Sequence, residues 1–199
     1  RAASTCFISG GRCTAKLAAL RAVQLRILRT LLAPLSSEQL RAEISAMQSA
    51  MGSRPFNLGG KAAFDKLVQR LHAALDRAGG QAEEMRLMLE ASFRELNTEF
   101  GFAFSLGPVP QLEPFKDELK LIDQSYARYL GVGQVWRMAA PGFAEQFRRL
   151  LTSKLRVVFE NASGELEMWS KSAQSQVEMQ LRERRRSFTR RRDALQRVQ

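Results

Sequence analysis

The sequence predicts an all-α chain, an elongated antiparallel helical bundle closed by a long C-terminal helix. Three observations carry this expectation. Apolar residues recur at three- and four-residue steps through nearly every segment, the period of one helix face. Sustained strand-like alternation is almost absent. The longest pattern opens after Pro141 and runs into the basic C-terminal stretch; uninterrupted over 142–198, it is one helix of roughly 85 Å at 1.5 Å per residue. A rod of that length belongs to a bundle or stalk rather than to a compact sphere. Apolar residues make up 45% of the 199-residue chain, enough for a sizeable core in one elongated domain or two small ones.

In chain order, residues 1–14 read as an irregular N-terminal segment and residues 15–199 as the bundle. Ala15 to Ala33 places Leu17, Leu20, Ile27 and Leu31 along one side, and Pro34 stops or kinks that helix. Ser36 and Gln39 have capping-box spacing for a second helix, in which Leu40, Ile44, Met47 and Met51 share a face. Gly52 to Gly60 is a linker of Gly, Pro and Asn. A third helix, Lys61 to Arg77, buries Phe64, Leu67, Leu71 and Leu75, and Gly79-Gly80 closes it. The fourth, Gln81 to Phe100, uses Met85, Leu89, Phe93 and Leu96. The fifth, Leu112 to Leu130, carries Phe115, Leu119, Ile122, Tyr126 and Tyr129. The region 131–142 is the predicted hinge, with Gly131, Gly133 and Pro141 as its pivots and a short helix around Val135 to Ala139. Phe143, Phe147, Leu150, Leu151, Leu155 and Val158 form the face of the last helix, and Asn161-Ala-Ser-Gly164 is where it would break.

Charge is concentrated at one end. The formal net charge is +11, and residues 181–199 hold eight arginines against Glu183 and Asp193, a local +6. Seven of those arginines fall within Arg182 to Arg192, on a helix whose apolar seam is Leu181, Phe188 and Leu195. A seam at i, i+7, i+14 packs on a neighbour, so the arginines decorate a built element and present fixed positive charge. Arg182, Arg185, Arg186, Arg190 and Arg192 are the candidates for contact with something anionic: a phosphate backbone, an acidic lipid face or an acidic protein. Arg184 and Arg191 lie beside the seam and are expected to be structural, with Glu83, Glu84 and Glu90 as acidic partners for the arginines on neighbouring helices.

Catalysis finds little to work with. His72 is the one histidine and sits on a helix flank without a nucleophile beside it. With Cys6 and Cys13 it falls short of the four ligands zinc requires. The two cysteines read as free thiols of a reducing cytosol, with a disulfide across the short loop as the alternative. Glu83, Glu84, Glu90, Glu95 and Glu99 lack the Glu-x-x-His pairs of di-iron bundles, and Glu90 is placed to pair with Arg94. Gly10 to Lys16 lacks the spacing of a phosphate loop and no strand precedes it. No catalytic, cofactor or metal residue is therefore assigned. No signal peptide is legible at the N-terminus, and a cytoplasmic location, peripheral to the inner membrane, is the expectation. A start at Arg1 and an uncapped end at Gln199 read as a piece of a longer protein.

The stretch Phe100 to Pro110 breaks the helical period and sets Phe100, Phe102, Phe104, Leu106 and Val109 among Gly and Pro. One reading is an extended connector whose phenylalanines plug the bundle end. The other is an apolar tip loop over 100–111 offered to a membrane or partner. Burying the phenylalanines stabilises either arrangement by roughly 1.5–3 kcal/mol each, so energetics alone does not choose.

Three runs carry a resemblance. Phe143-Ala-Glu-Gln-Phe-Arg-Arg-Leu-Leu151, Leu155-Arg-Val-Val-Phe-Glu-Asn-Ala-Ser-Gly-Glu-Leu-Glu-Met-Trp169 and Gln180-Leu-Arg-Glu-Arg-Arg-Arg-Ser-Phe-Thr-Arg-Arg-Arg-Asp-Ala-Leu195 resemble the C-terminal helical region of proteobacterial dynamin-like GTPases. The similarity is best from Leu112 onward. It implies an N-terminal GTPase domain in a longer parent chain, which would hold GTP and Mg²⁺. It further implies a helical neck and trunk that self-associates and engages lipid at its tip, with the Phe100–Pro110 stretch resembling such a tip. This chain departs from that pattern in having no phosphate loop. The alternative reading is a helical scaffold or nucleic-acid-associated protein that uses the arginine helix alone.

Overall fold

The computed structural model describes residues 2–52, 60–127 and 143–198. Side chains are described from Arg12 onward, apart from those of residues 127, 143, 144, 188, 191, 192, 195 and 198 within that range. The fold is an all-α helical bundle, and no strand occurs among the described residues. Helix α1 is Ala2–Leu32, followed by a single 3₁₀ turn, Ala33–Leu35. Helices α2, α3, α4 and α5 are Ser37–Gly52, Gly60–Phe100, Glu113–Ala127 and Phe143–Val198. The expected hinge, with Gly131, Gly133 and Pro141, and the short helix at 135–139 lie outside the described residues.

Three expectations are corrected and one open point is decided. Residues 2–14 are not irregular but form the start of α1. The turn at Arg12 and Cys13 is anchored, the first by Glu99 and the second by burial, and extending an existing helix is far cheaper than nucleating one. Gly79-Gly80 does not end a helix: α3 runs through it for 41 residues. Leu75, Ala78, Ala82 and Met85 continue one buried stripe across the glycines, and that packing outweighs the ~1 kcal/mol that each glycine costs in a helix. The Asn161–Gly164 run, which the sequence left open, does not interrupt α5, because Ala162 and Leu166 are both fully buried. Leu150, assigned to the buried face, is 53% exposed, and Leu151 takes the core position.

The chain divides into two compact units. One comprises residues 29–83 and 110–166, so it takes in α2, α4, the first part of α3 up to Glu83 and the first part of α5. Its core includes Leu35, Phe64, Leu71, Leu119, Leu155 and Phe159. Phe64, Tyr126 and Phe147 meet as a ring triad with centroids 5.4–6.4 Å apart, the tilted and edge-on geometry that aromatic quadrupoles favour. Ser36 caps α2 as its spacing predicts: its backbone is extended at ψ 148°, and its Oγ accepts from Gln39 N at 3.2 Å. The Gln39 side chain does not return to close the box but donates to Glu43.

The other unit comprises residues 1–28, 84–109 and 167–199. Arg12 pairs with Glu99 and Lys16 with Glu95, so α1 runs antiparallel to α3. Arg21 pairs with Glu178, and the buried Gln24 donates to both the carbonyl and the hydroxyl oxygen of Ser170 at 3.0 Å, so α1 is also antiparallel to α5. Cys13, Leu17, Met85, Leu89, Phe93, Leu96, Trp169 and Ala173 pack between the three segments. A non-helical strap, residues 101–109, then passes back along α5.

Candidate functional site

The strap resolves the two readings of the phenylalanine stretch. Phe102 and Phe104 are buried in the unit's core, and Phe100, Leu106 and Val109 pack partly buried against it. The expectation of an exposed apolar tip is corrected: these side chains form part of the core. The cause lies in the backbone. Gly101 ends α3 at φ +62°, with its N–H bonded to the Asn97 carbonyl at 2.9 Å, which is the αL motif that glycine favours. Beyond it the chain is extended, so alternate side chains point inward. Phe102 and Phe104 stack at 4.6 Å, and Phe93 meets Phe104 at 5.2 Å.

An extended segment also carries its hydrogen-bonding groups in alternation, one residue to one edge and the next to the other. Both edges are satisfied by side chains. Ala103 donates to Gln180 Oε1 at 3.0 Å and accepts from Gln180 Nε2 at 2.9 Å. Phe104, facing the other way, donates to Asn97 Oδ1 at 2.8 Å and accepts from Asn97 Nδ2 at 2.9 Å. Each amide side chain thus stands in for a neighbouring strand's peptide group. Gln176 accepts from Ser105 N, Trp169 Nε1 donates to the Gly107 carbonyl, and Arg184 donates to the Gly101 carbonyl at 2.6 Å. The registers match because two extended residues advance about 6.6 Å and four helical residues about 6 Å.

Arg184 is structural, as its place beside the seam suggested. Its partner is not a glutamate: the guanidinium lies 4.1 Å from the Phe102 ring centroid, a cation–π contact. Among the acidic candidates, Glu90 pairs with Arg86 at 2.5 Å rather than with Arg94 or an arginine of α5. Glu95 and Glu99 hold Lys16, whose ammonium pKa is raised chiefly by the Glu95 and then the Glu99 hydrogen bond. Glu99, bonded by Lys16 and Arg12, has its carboxyl pKa lowered.

The anionic-contact candidates sort by face. Arg185 borders a shallow groove of about 210 Å³ between α1 and α5, floored by Leu17, Leu20, Val177 and Leu181. Arg182, Arg186 and Arg190 lie along the outer side of α5, exposed. Arg182 reaches Glu178 only at 3.7 Å, and Arg186 and Arg190 have no carboxylate partner among the described residues. The side chains of Arg191, Arg192, Phe188 and Leu195 lie outside the described residues. Sequence reasoning missed two residues on that outer side, Met168 and Met179, which are 69% and 64% exposed. Their off-seam spacing was a signal, because neither fits the period of the buried face.

Among the described residues, no group of three His, Cys, Asp or Glu side chains is placed to hold a metal ion. Cys13 is a free thiol, and burial pushes its pKa up, away from thiolate chemistry. No described helix is long and apolar enough to cross a membrane. No protein-family model, curated protein or solved structure matches the chain.

Proposed function

We propose that this chain is a helical stalk and assembly segment of a dynamin-like GTPase, coupling nucleotide-driven motion in a separate domain of its parent chain to contact with an anionic membrane. GTP and Mg²⁺ belong to that separate domain. The observation that carries the reading is α5: 56 unbroken helical residues with a face packed in each unit and exposed arginines toward the C-terminal end. The resemblance of residues 112–199 to the helical region of that family supports the same reading.

Burial of Phe102 and Phe104 favours a second reading, a helical scaffold or nucleic-acid-associated protein that uses the arginines alone. The two part in a sedimentation assay with phosphatidylglycerol vesicles, neutral vesicles and duplex RNA, each at low and high salt. Membrane contact predicts binding to anionic vesicles in preference to RNA, partly retained at high salt. Binding only to RNA, falling steeply with salt, is the signature of counterion release and would replace the stalk reading with the scaffold.

A further inference from the structure

We infer that the membrane-contact surface is the outer face of α5, where Met168, Met179, Arg182, Arg186 and Arg190 form one line, and that its partner is an anionic lipid surface. The inference rests on the membrane reading above and specifies where contact is made. At 3.6 residues per turn, positions 179, 182, 186 and 190 lie within about 40° of position 168 around the helix. Between the methionines, the same face carries only Ser172 and Ser175. The three arginines follow at steps of about one turn, roughly 6 Å apart along the axis.

The two kinds of side chain call for two properties in one partner. Exposed guanidiniums fit phosphate oxygens of any origin. Exposed methionines do not: a phosphate backbone offers a thioether nothing, whereas the boundary between headgroups and acyl chains accepts a flexible apolar side chain. These are the two most exposed large hydrophobics in the described chain, at 69% and 64%. Glu178 and Glu183 flank the line and Asp193 follows Arg190 on it, but Glu178 is already engaged by Arg21 at 3.2 Å and loosely by Arg182. Positive charge therefore dominates the face at Arg186 and Arg190.

The test compares the whole chain with two paired variants, M168D/M179D and R186E/R190E, and with the control Leu87→Asp, an exposed α3 position. Circular dichroism establishes that each is folded. The readout is affinity for vesicles of phosphatidylglycerol and phosphatidylcholine at low and high salt, beside soluble polyphosphate. Loss of the arginine pair is expected to weaken low-salt binding by about thirtyfold or more, as two cationic contacts disappear. The methionine pair is expected to lose the salt-resistant fraction, and Leu87→Asp to bind like the parent. If the parent binds vesicles and both paired variants bind equally well, this face is wrong while the membrane reading stands. Polyphosphate binding as tight as vesicle binding, unaffected by M168D/M179D, overturns the lipid assignment. So does a parent dimer that the methionine variants dissociate without lipid, since the face then belongs to a second copy. A parent that ignores vesicles altogether sinks the membrane reading itself.

Discussion

Asn97 shows how much one amide can decide. It ends α3 with its carbonyl on Gly101 N and holds both backbone groups of Phe104 with its side chain. Removing that side chain leaves the N–H and C=O of a residue 5% exposed without their partners. Asn97→Ala should therefore lower unfolding free energy by about 1–3 kcal/mol, the cost of orphaned buried polar groups. Asn97→Asp keeps the acceptor but loses the donor and should fall between the two. Urea unfolding followed by tryptophan emission measures this, because the Trp169 indole N–H is itself bonded to the strap at Gly107. A cost near zero for Asn97→Ala would mean that water replaces the amide without loss.

At the scale of elements, helix identity was legible and helix length was not. The stripes Leu40–Met51, Phe64–Leu75 and Met85–Leu96 are buried where their period places them, because burial of one face is what makes these segments helices. Glycine misled, since a residue that often ends helices is also tolerated inside them when packing continues past it. The arginine helix was visible from composition alone. The strap was visible as an interruption, but its direction was not: Phe102 and Phe104 face inward because Asn97, Gln176 and Gln180 bind the backbone, and the two glutamine pairings span 71 and 77 residues of sequence. The glycines offer a direct check. At Gly80 and Gly164 an added Cβ meets nothing within 4 Å and φ is helical, so alanine at each should stabilise by roughly 0.5–1 kcal/mol. At Gly101, φ +62° makes alanine cost about 1–2 kcal/mol instead. Thermal melting of the three variants should show two shifts up and one down.

For the molecule as a whole, 20 carboxylates stand against 31 lysines and arginines, and several are engaged by cations. Arg148 and Arg149 lower the Glu145 pKa to about 2, and Glu99 is lowered by Lys16 and Arg12. Glu113 is lowered chiefly by its own backbone N–H and then by Lys116. A carboxyl whose folded pKa lies below its unfolded value contributes stability that is present above the unfolded value, near 4.3, and is lost as pH falls through the folded one. The urea midpoint should accordingly fall between about pH 4.5 and 2, with Glu145 the last of the three to be protonated. Glu145→Gln should flatten the lower end of that profile, and an unchanged profile would remove Glu145 from the account.

The strap behaves as a reading frame. Its odd residues present backbone to Gln180 and Gln176, and its even residues send Phe102 and Phe104 inward, so every position is defined by parity as well as by identity. Ala103 and Ser105 are exposed and held through the main chain, which leaves their side chains free to vary, proline excepted because it would remove the donor. Length is another matter. Inserting or deleting one residue between Gly101 and Gly107 would turn the phenylalanines out and the small residues in, as a one-residue slip does in any half-buried strand. A segment that looks like a loop, and that loops ordinarily allow to grow or shrink, is here as intolerant of a frameshift as a codon.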